Sequence, residues 1–145
     1  VTYFDTAYIL KLYLREHGTE AVMQTANGAG GLASSALAFS ELHGAFHRNL
    51  REGRLDSNGF KTVLDRFYAD VEMDMWHWLP VTMSIHERVA SVYRDVPESV
   101  FLRTADAIHL ATAAEHGFCH VYSNDRRLLA AASHFGLTGV DVIDA

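Results

Sequence analysis

Apolar positions follow two alternating rhythms along this chain. A run of β-favouring residues from Val1 to Phe4 ends in the carboxylate of Asp5, and helical spacing begins at once. In "TAYILKLYLREHG", Ile9, Leu12 and Tyr13 fall on one face, which predicts a helix ending at Gly18, where the missing Cβ permits a left-handed cap. Thr19 is placed to cap a short second helix that stops in the Gly-rich "NGAGG". "LASS" predicts a strand, and Ser35 is the expected N-cap of a helix "ALAFSELHGAFHRNLREG" that closes at Gly53 with Leu42, Ala45, Phe46 and Leu50 inward. In "DSNGFKTVLDRFYADVEM", Phe60, Val63, Leu64, Phe67 and Val71 recur at three and four, the stripe of an amphipathic helix.

Further on, "MWHWLPVT" predicts a short strand broken by Pro80, whose missing N–H ends ladder pairing. A helix in "SIHERVASVYRDV" stops before Pro97, and a second, in "FLRTADAIHLATAAEHG", is closed by Gly117. "FCHVYSN" predicts a strand, "DRRLLAAASHFG" a helix and "GVDVIDA" a last short strand. Strands that alternate with helices predict a parallel sheet covered on both faces, since parallel neighbours need crossover connections. The expected fold class is α/β, a three-layer α/β/α sandwich with a mostly parallel central sheet. Without internal repeats, low-complexity tracts or linkers, residues 1–145 are expected to form a single domain.

Composition narrows the function. The chain is 49% apolar and 21% charged, the balance of a globular protein and not of a disordered or fibrous one. Its net charge of -6 argues against coating nucleic acid by electrostatics alone, but leaves room for a nuclease that recruits cations. Cys119 is the sole cysteine, so no disulfide can form within one chain. No stretch approaches the roughly 20 apolar residues of a membrane span, and no charged leader precedes an apolar segment, so a cytoplasmic protein without membrane association is expected.

Four acids stand out. In open α/β sheets, ligand sites form beyond the carboxyl ends of the strands, where Asp5 ends the first strand and Asp125 follows the fourth. Glu41 sits in the nearly uncharged window "ASSALAFSELHGAF" and Asp106 among small and apolar neighbours in "RTADAIHLATAA", where Leu102, Asp106, His109 and Ala113 share one face. Each acid also has a plainer explanation. Asp5 and Asp125 are placed to cap the helices that follow them, Glu41 to sit in solvent, and Asp106 to pair with Arg103 three residues earlier. Drawn into one crevice, the four would repel one another unless a positive charge sat among them. Mg²⁺ or Mn²⁺ suits an all-oxygen site without Cys better than zinc does, and such an ion supports phosphodiester hydrolysis.

Four blocks, "YFDTAYILKLYL", "SSALAFSELHGAFHR", "LRTADAIHLATAAEHG" and "VYSNDRRLLAAA", together resemble the PIN domain, and most of all its VapC branch of ribonuclease toxins from toxin–antitoxin pairs. The similarity runs in order from residue 1 to about residue 132. The resemblance implies an α/β/α sandwich and a magnesium- or manganese-dependent endoribonuclease whose catalytic, metal-holding acids are Asp5, Glu41, Asp106 and Asp125. Thr6 and Ser123 match positions that carry a hydroxyl near the metal, and Asn124 is a further polar neighbour. It also implies an RNA substrate, a cognate antitoxin protein and a homodimer.

Other chemistries fit less well. His43 and His47 have the four-residue spacing of zinc proteases, but Gly44 stands where the catalytic glutamate is needed. An aspartyl-nucleophile phosphatase needs a second Asp two residues after the first, and "NGAGG" lacks the Lys and hydroxyl of a phosphate-binding loop. A PIN-fold module that binds RNA or protein without cutting is the alternative. Lys11, Arg15, Arg48, Arg51, Arg54, Arg103, Arg126 and Arg127 are candidates for a basic rim that receives the substrate. Trp76 and Trp78 could stack bases, although their alternation around His77 better suits a half-buried strand.

Overall fold

Tyr3 and Phe4, adjacent in sequence, pack into two different cores, as neighbouring residues of a strand must when both faces of its sheet are covered. In the computed structural model, which describes residues 1–144, five short strands and seven α-helices surround that division. Strands β1 (Thr2–Tyr3), β2 (Leu32–Ser35) and β3 (Trp76–Leu79) pair in parallel in the order β1-β2-β3. Strands β4 (His120–Tyr122) and β5 (Thr138–Val140) form a parallel pair of their own. The two groups meet where Phe4 bridges Tyr122, with the Asp5 N–H donating to the Tyr122 carbonyl at 3.1 Å. The chain thus builds outward from β1 to β3 and then returns to the other side of β1. This reversal opens a crevice at the carboxyl ends of β1 and β4.

One core lies under α1 (Thr6–Tyr13), α2 (Thr19–Gly28), α3 (Ala36–Arg51) and α4 (Ser57–Glu72), and is filled by Phe4, Tyr8, Leu42, Phe46, Val63 and Phe67. The other lies under α5 (Met83–Asp95), α6 (Thr104–Glu115) and α7 (Arg126–Ala131), and includes Tyr3, Ile85, Leu110, Val121 and Leu128. The expected three-layer α/β/α arrangement is borne out. Trp76 is buried and Trp78 partly buried, and the two rings stack at 5.7 Å in the first core, as the half-buried-strand reading expects.

Several boundaries differ from the pattern-based expectation, among them the end of the helix in "DRRLLAAASHFG", which stops at Ala131 and continues as a 3-10 turn over Ala132–Phe135. Helix α1 ends at Tyr13 rather than Gly18, because Leu14 turns extended and the Arg66 guanidinium of α4 donates to the carbonyls of Leu12 and Tyr13. A cation arriving from a distant helix satisfies the carbonyls that another turn would have used. Gly18, at φ 88°, then caps the start of α2, and Thr19 is that helix's first residue rather than its cap. The last strand lies over Thr138–Val140 and the chain leaves it at Asp141, so its expected continuation through Asp144 is not formed; Ala145 lies outside the described residues. Among the described residues, no helix is long and apolar enough to cross a membrane.

Candidate active site

The crevice between β1 and β4 gathers side chains from four places in the sequence. Asp5 follows β1, Glu41 projects from α3, Asp106 from the first turn of α6, and Asp125 follows β4; all four line one cavity with Thr6, Arg103 and His109. Asp5 and Asp125 each divide their two oxygens between two tasks. Asp5 Oδ1 accepts the Tyr8 N–H at 3.0 Å, capping α1, and Oδ2 accepts the Ser123 hydroxyl at 2.5 Å. Asp125 Oδ1 accepts the N–H groups of Arg127 and Leu128, capping α7, and Oδ2 takes an Arg103 N–H at 2.5 Å. The capping explanation and the site explanation for these two acids are therefore compatible.

Electrostatics separates the acids. Burial pushes the Asp5 carboxyl up from 3.8 to about 6, against the hydrogen bond from Ser123. Burial also raises Asp106, with the Arg103 hydrogen bond opposing it. Glu41 feels burial too, but hydrogen bonds from His109 and Thr6 outweigh it and hold the carboxyl below its ordinary range. Asp125 likewise ends lowered, its burial overcome by Arg103 and the α7 amides. Arg103 is in turn raised by its hydrogen bonds to Asp125 and Asp106.

Arg103 connects two of the acids. Its Nε donates to Asp106 Oδ2 at 2.7 Å, the three-residue pairing weighed from the sequence, while the same guanidinium reaches Asp125 across the crevice. Among the described residues, no three acid, histidine or cysteine side chains stand close enough together to hold an ion as they are placed. Each carboxylate instead engages a protein donor. The donor set nonetheless suits a hard dication: four carboxylates and the hydroxyl of Thr6 line the crevice with no thiol among them, and Ser123 lies buried behind Asp5. Two of those acids are held above their ordinary values by burial, which a cation would relieve. The chemistry of the donor set fits such an ion, and Arg103 is the present partner of two of the acids.

The supporting positions divide. The Thr6 hydroxyl donates to Glu41 Oε1 at 2.7 Å, and Ser123 is fully buried between Asp5 and the Asp125 N–H. Asn124 is half-buried and is not among the crevice-lining residues. Of the eight basic candidates for the rim, Arg103 alone lines the crevice. Lys11 is buried with its ammonium on the His17 carbonyl, Arg15 pairs with Glu20, and Arg48, Arg51 and Arg54 surround Glu52, because each has an acid or carbonyl closer than the crevice. Arg126 and Arg127 open α7 directly after Asp125, and Arg127 lies over the exposed Phe101 ring at 4.1 Å.

His109 is the site residue that sequence reasoning left out. It is 2% exposed and stands one turn beyond Asp106 on the same face of α6, with Nε2 2.7 Å from Glu41 Oε1 and Nδ1 2.9 Å from the Tyr3 hydroxyl. The shared face with Asp106 was the available signal; the partners, 68 and 106 residues away, were not visible.

Comparison with solved structures sets this geometry in context. The chain is similar to FitAcB from Neisseria gonorrhoeae, at a TM-score of 0.76 and 16% identity with both chains fully covered. It is similar to a chain of a toxin–antitoxin complex from Klebsiella pneumoniae, at 0.67 and 16% over the whole of both chains. A third neighbour is VapC20 of Mycobacterium tuberculosis, described as a sarcin–ricin loop cleaving toxin, at 0.68 and 14% over 90% of this chain and 95% of that one. No curated protein matches at the level of sequence. The family model for the PIN domain matches residues 2–133, and the chain belongs to the PIN domain family.

Proposed function

We propose that this protein is a Mg²⁺- or Mn²⁺-dependent endoribonuclease of the VapC kind, a cytoplasmic toxin held in check by a cognate antitoxin and acting as a homodimer. The observation that carries the reading is the convergence of Asp5, Glu41, Asp106 and Asp125 on one crevice at the switch point of the sheet. Support for RNA as substrate and for an antitoxin partner comes from the neighbours, one a toxin that cleaves the sarcin–ricin loop and another a toxin–antitoxin complex.

In this reading the four carboxylates hold the ion, which when bound supplies an activated water and stabilises the charge that grows on a phosphoryl oxygen. The chain's own residues prepare the site. Ser123 and the Tyr8 N–H fix both oxygens of Asp5, so its carboxylate cannot rotate away from the crevice. Thr6 anchors Glu41 through Oε1, which leaves Oε2 without a protein donor among the described residues. Arg103 donates to Asp106 and Asp125 as they stand, and these two carboxylates with Asp5 and Glu41 are the residues that would hold the dication.

Asp106→Asn tests the assignment, because it keeps the shape of α6 and removes one charge. The variant is expected to keep the parent's circular dichroism and to lose cleavage of structured RNA in Mn²⁺; cutting at the parent's rate would remove the nuclease reading. The Arg103 bridge favours a second reading, a non-cleaving PIN-fold module in which the guanidinium is the permanent counter-ion. That reading predicts no Mn²⁺ uptake by the purified protein.

A further inference from the structure

Glu41 is held by more than its own helix. Its Oε1 lies 2.7 Å from His109 Nε2, and the Thr6 hydroxyl donates to the same oxygen at 2.7 Å. The other ring nitrogen, Nδ1, lies 2.9 Å from the hydroxyl of Tyr3. That hydroxyl also accepts the backbone N–H of Ser35 at 3.0 Å, at the point where β2 becomes α3. Tyr3 is 0% and His109 2% exposed, so water does not offer either group another partner.

The described hydrogen bonds fit one neutral tautomer of the ring. The Tyr3 oxygen already accepts from Ser35, and among the described hydrogen bonds its own proton has one acceptor, His109 Nδ1. With Nδ1 accepting, the ring proton sits on Nε2, where it is donated to Glu41 Oε1 and is also within 3.1 Å of the Thr6 oxygen. The ring is further held edge-on to Tyr3 at 83°.

We infer that His109 is a positioning residue: the relay Ser35 N–H, Tyr3 hydroxyl, His109 ring fixes one oxygen of Glu41 and presents the other to the cation in the crevice. The inference rests on the metal-site reading above and deepens it. Glu41 comes from a helix on one face of the sheet and His109 from a helix on the other, so the bond also joins the two layers across the site. An imidazole that donates through one nitrogen while the other is fixed by a hydroxyl has a single orientation.

The test titrates the metal-free protein with Mn²⁺ alone, following free Mn²⁺ by electron paramagnetic resonance, with no RNA present. His109→Leu is expected to weaken Mn²⁺ binding by about 10- to 100-fold, the usual consequence of losing a group that orients a metal ligand. His109→Gln places an amide N–H close to the Nε2 position and is expected to restore most of the affinity, whereas His109→Asn, which reaches only the Nδ1 position, is not. Tyr3→Phe keeps the ring and is expected to weaken binding by about 10-fold although it touches no carboxylate. It decides the matter should His109→Leu fail to fold.

Long-range ¹H–¹⁵N spectra of His109 give a readout without metal, and the Nε2–H tautomer is expected in the parent. An Nδ1–H tautomer, His109→Leu binding Mn²⁺ as the parent does, or Gln no better than Asn would each overturn the relay alone. A parent that takes up no Mn²⁺ while keeping the Nε2–H tautomer would overturn the metal reading, and the positioning role with it, but not the hydrogen-bond geometry.

Discussion

Replacing Asp5 by Asn in the metal-free protein isolates the electrostatic cost of assembling the crevice. Asp5 is 4% exposed, and burial lifts its carboxyl from 3.8 to about 6. A carboxyl whose pKa is higher in the folded than in the unfolded state binds its proton more tightly when folded. Its contribution to stability is therefore fully present below pH about 4 and is lost as the pH rises through about 6. At 1.36 kcal/mol for each tenfold change in proton affinity, the whole loss is about 3 kcal/mol, of which about 1.4 kcal/mol falls between pH 5 and pH 8. Asn carries no such dependence, and its carbonyl still accepts the Tyr8 N–H that caps α1.

Urea unfolding of parent and Asp5→Asn in EDTA, at pH 5 and pH 8, measures the difference. The variant is expected to gain about 1.4 kcal/mol on the parent over that interval. Saturating Mn²⁺ at pH 8 should reverse the order, because the ion stabilises the form that holds it. Parallel pH dependences for the two proteins in EDTA would refute the argument, since they would mean that Asp5 is not ionised against its surroundings.

Two further substitutions probe its neighbours. Ser123→Ala removes the hydroxyl that donates to Asp5 Oδ2 and accepts the Asp125 N–H, so it should push the Asp5 carboxyl further up and cost about 1–3 kcal/mol at pH 8, read by urea unfolding and by NMR titration of the Asp5 carboxyl carbon. Arg103→Ala removes the guanidinium shared by Asp106 and Asp125; its side chain is 38% exposed, so the metal-free protein should lose no more than about 1 kcal/mol. Calorimetric titration should show the same variant binding Mn²⁺ more tightly than the parent, and equal or weaker binding would show that Arg103 does not compete with the ion.

How much of this was legible in the sequence depends on how far apart the interacting residues lie. Helix α4 was readable because Val63 and Phe67, one turn apart, carry its buried face without help from elsewhere. Asp5 and Asp125 were readable as residues of one crevice because strand ends converge in this class of fold, and as caps because capping is local. The end of α1 was not readable, since it depends on Arg66, whose bonds to Leu12 and Tyr13 span 54 and 53 residues. His109 was hidden for the same reason. A histidine amid "ADAIHLATA" reads as packing until Tyr3 and Glu41 are brought against its two nitrogens. Which basic candidates reach the crevice was not readable, because charge along a chain does not reveal which acid each guanidinium meets, and Glu52 gathers three of them.

Anomalous scattering from crystals of the protein grown in Mn²⁺ tests the central claim most directly. The account predicts one or more manganese peaks in the β1–β4 crevice, coordinated by Asp5 and at least two of Glu41, Asp106 and Asp125, with Arg103 swung away from both of its present partners. Crystals in which the crevice holds no manganese and Arg103 still bridges Asp106 and Asp125 would contradict it.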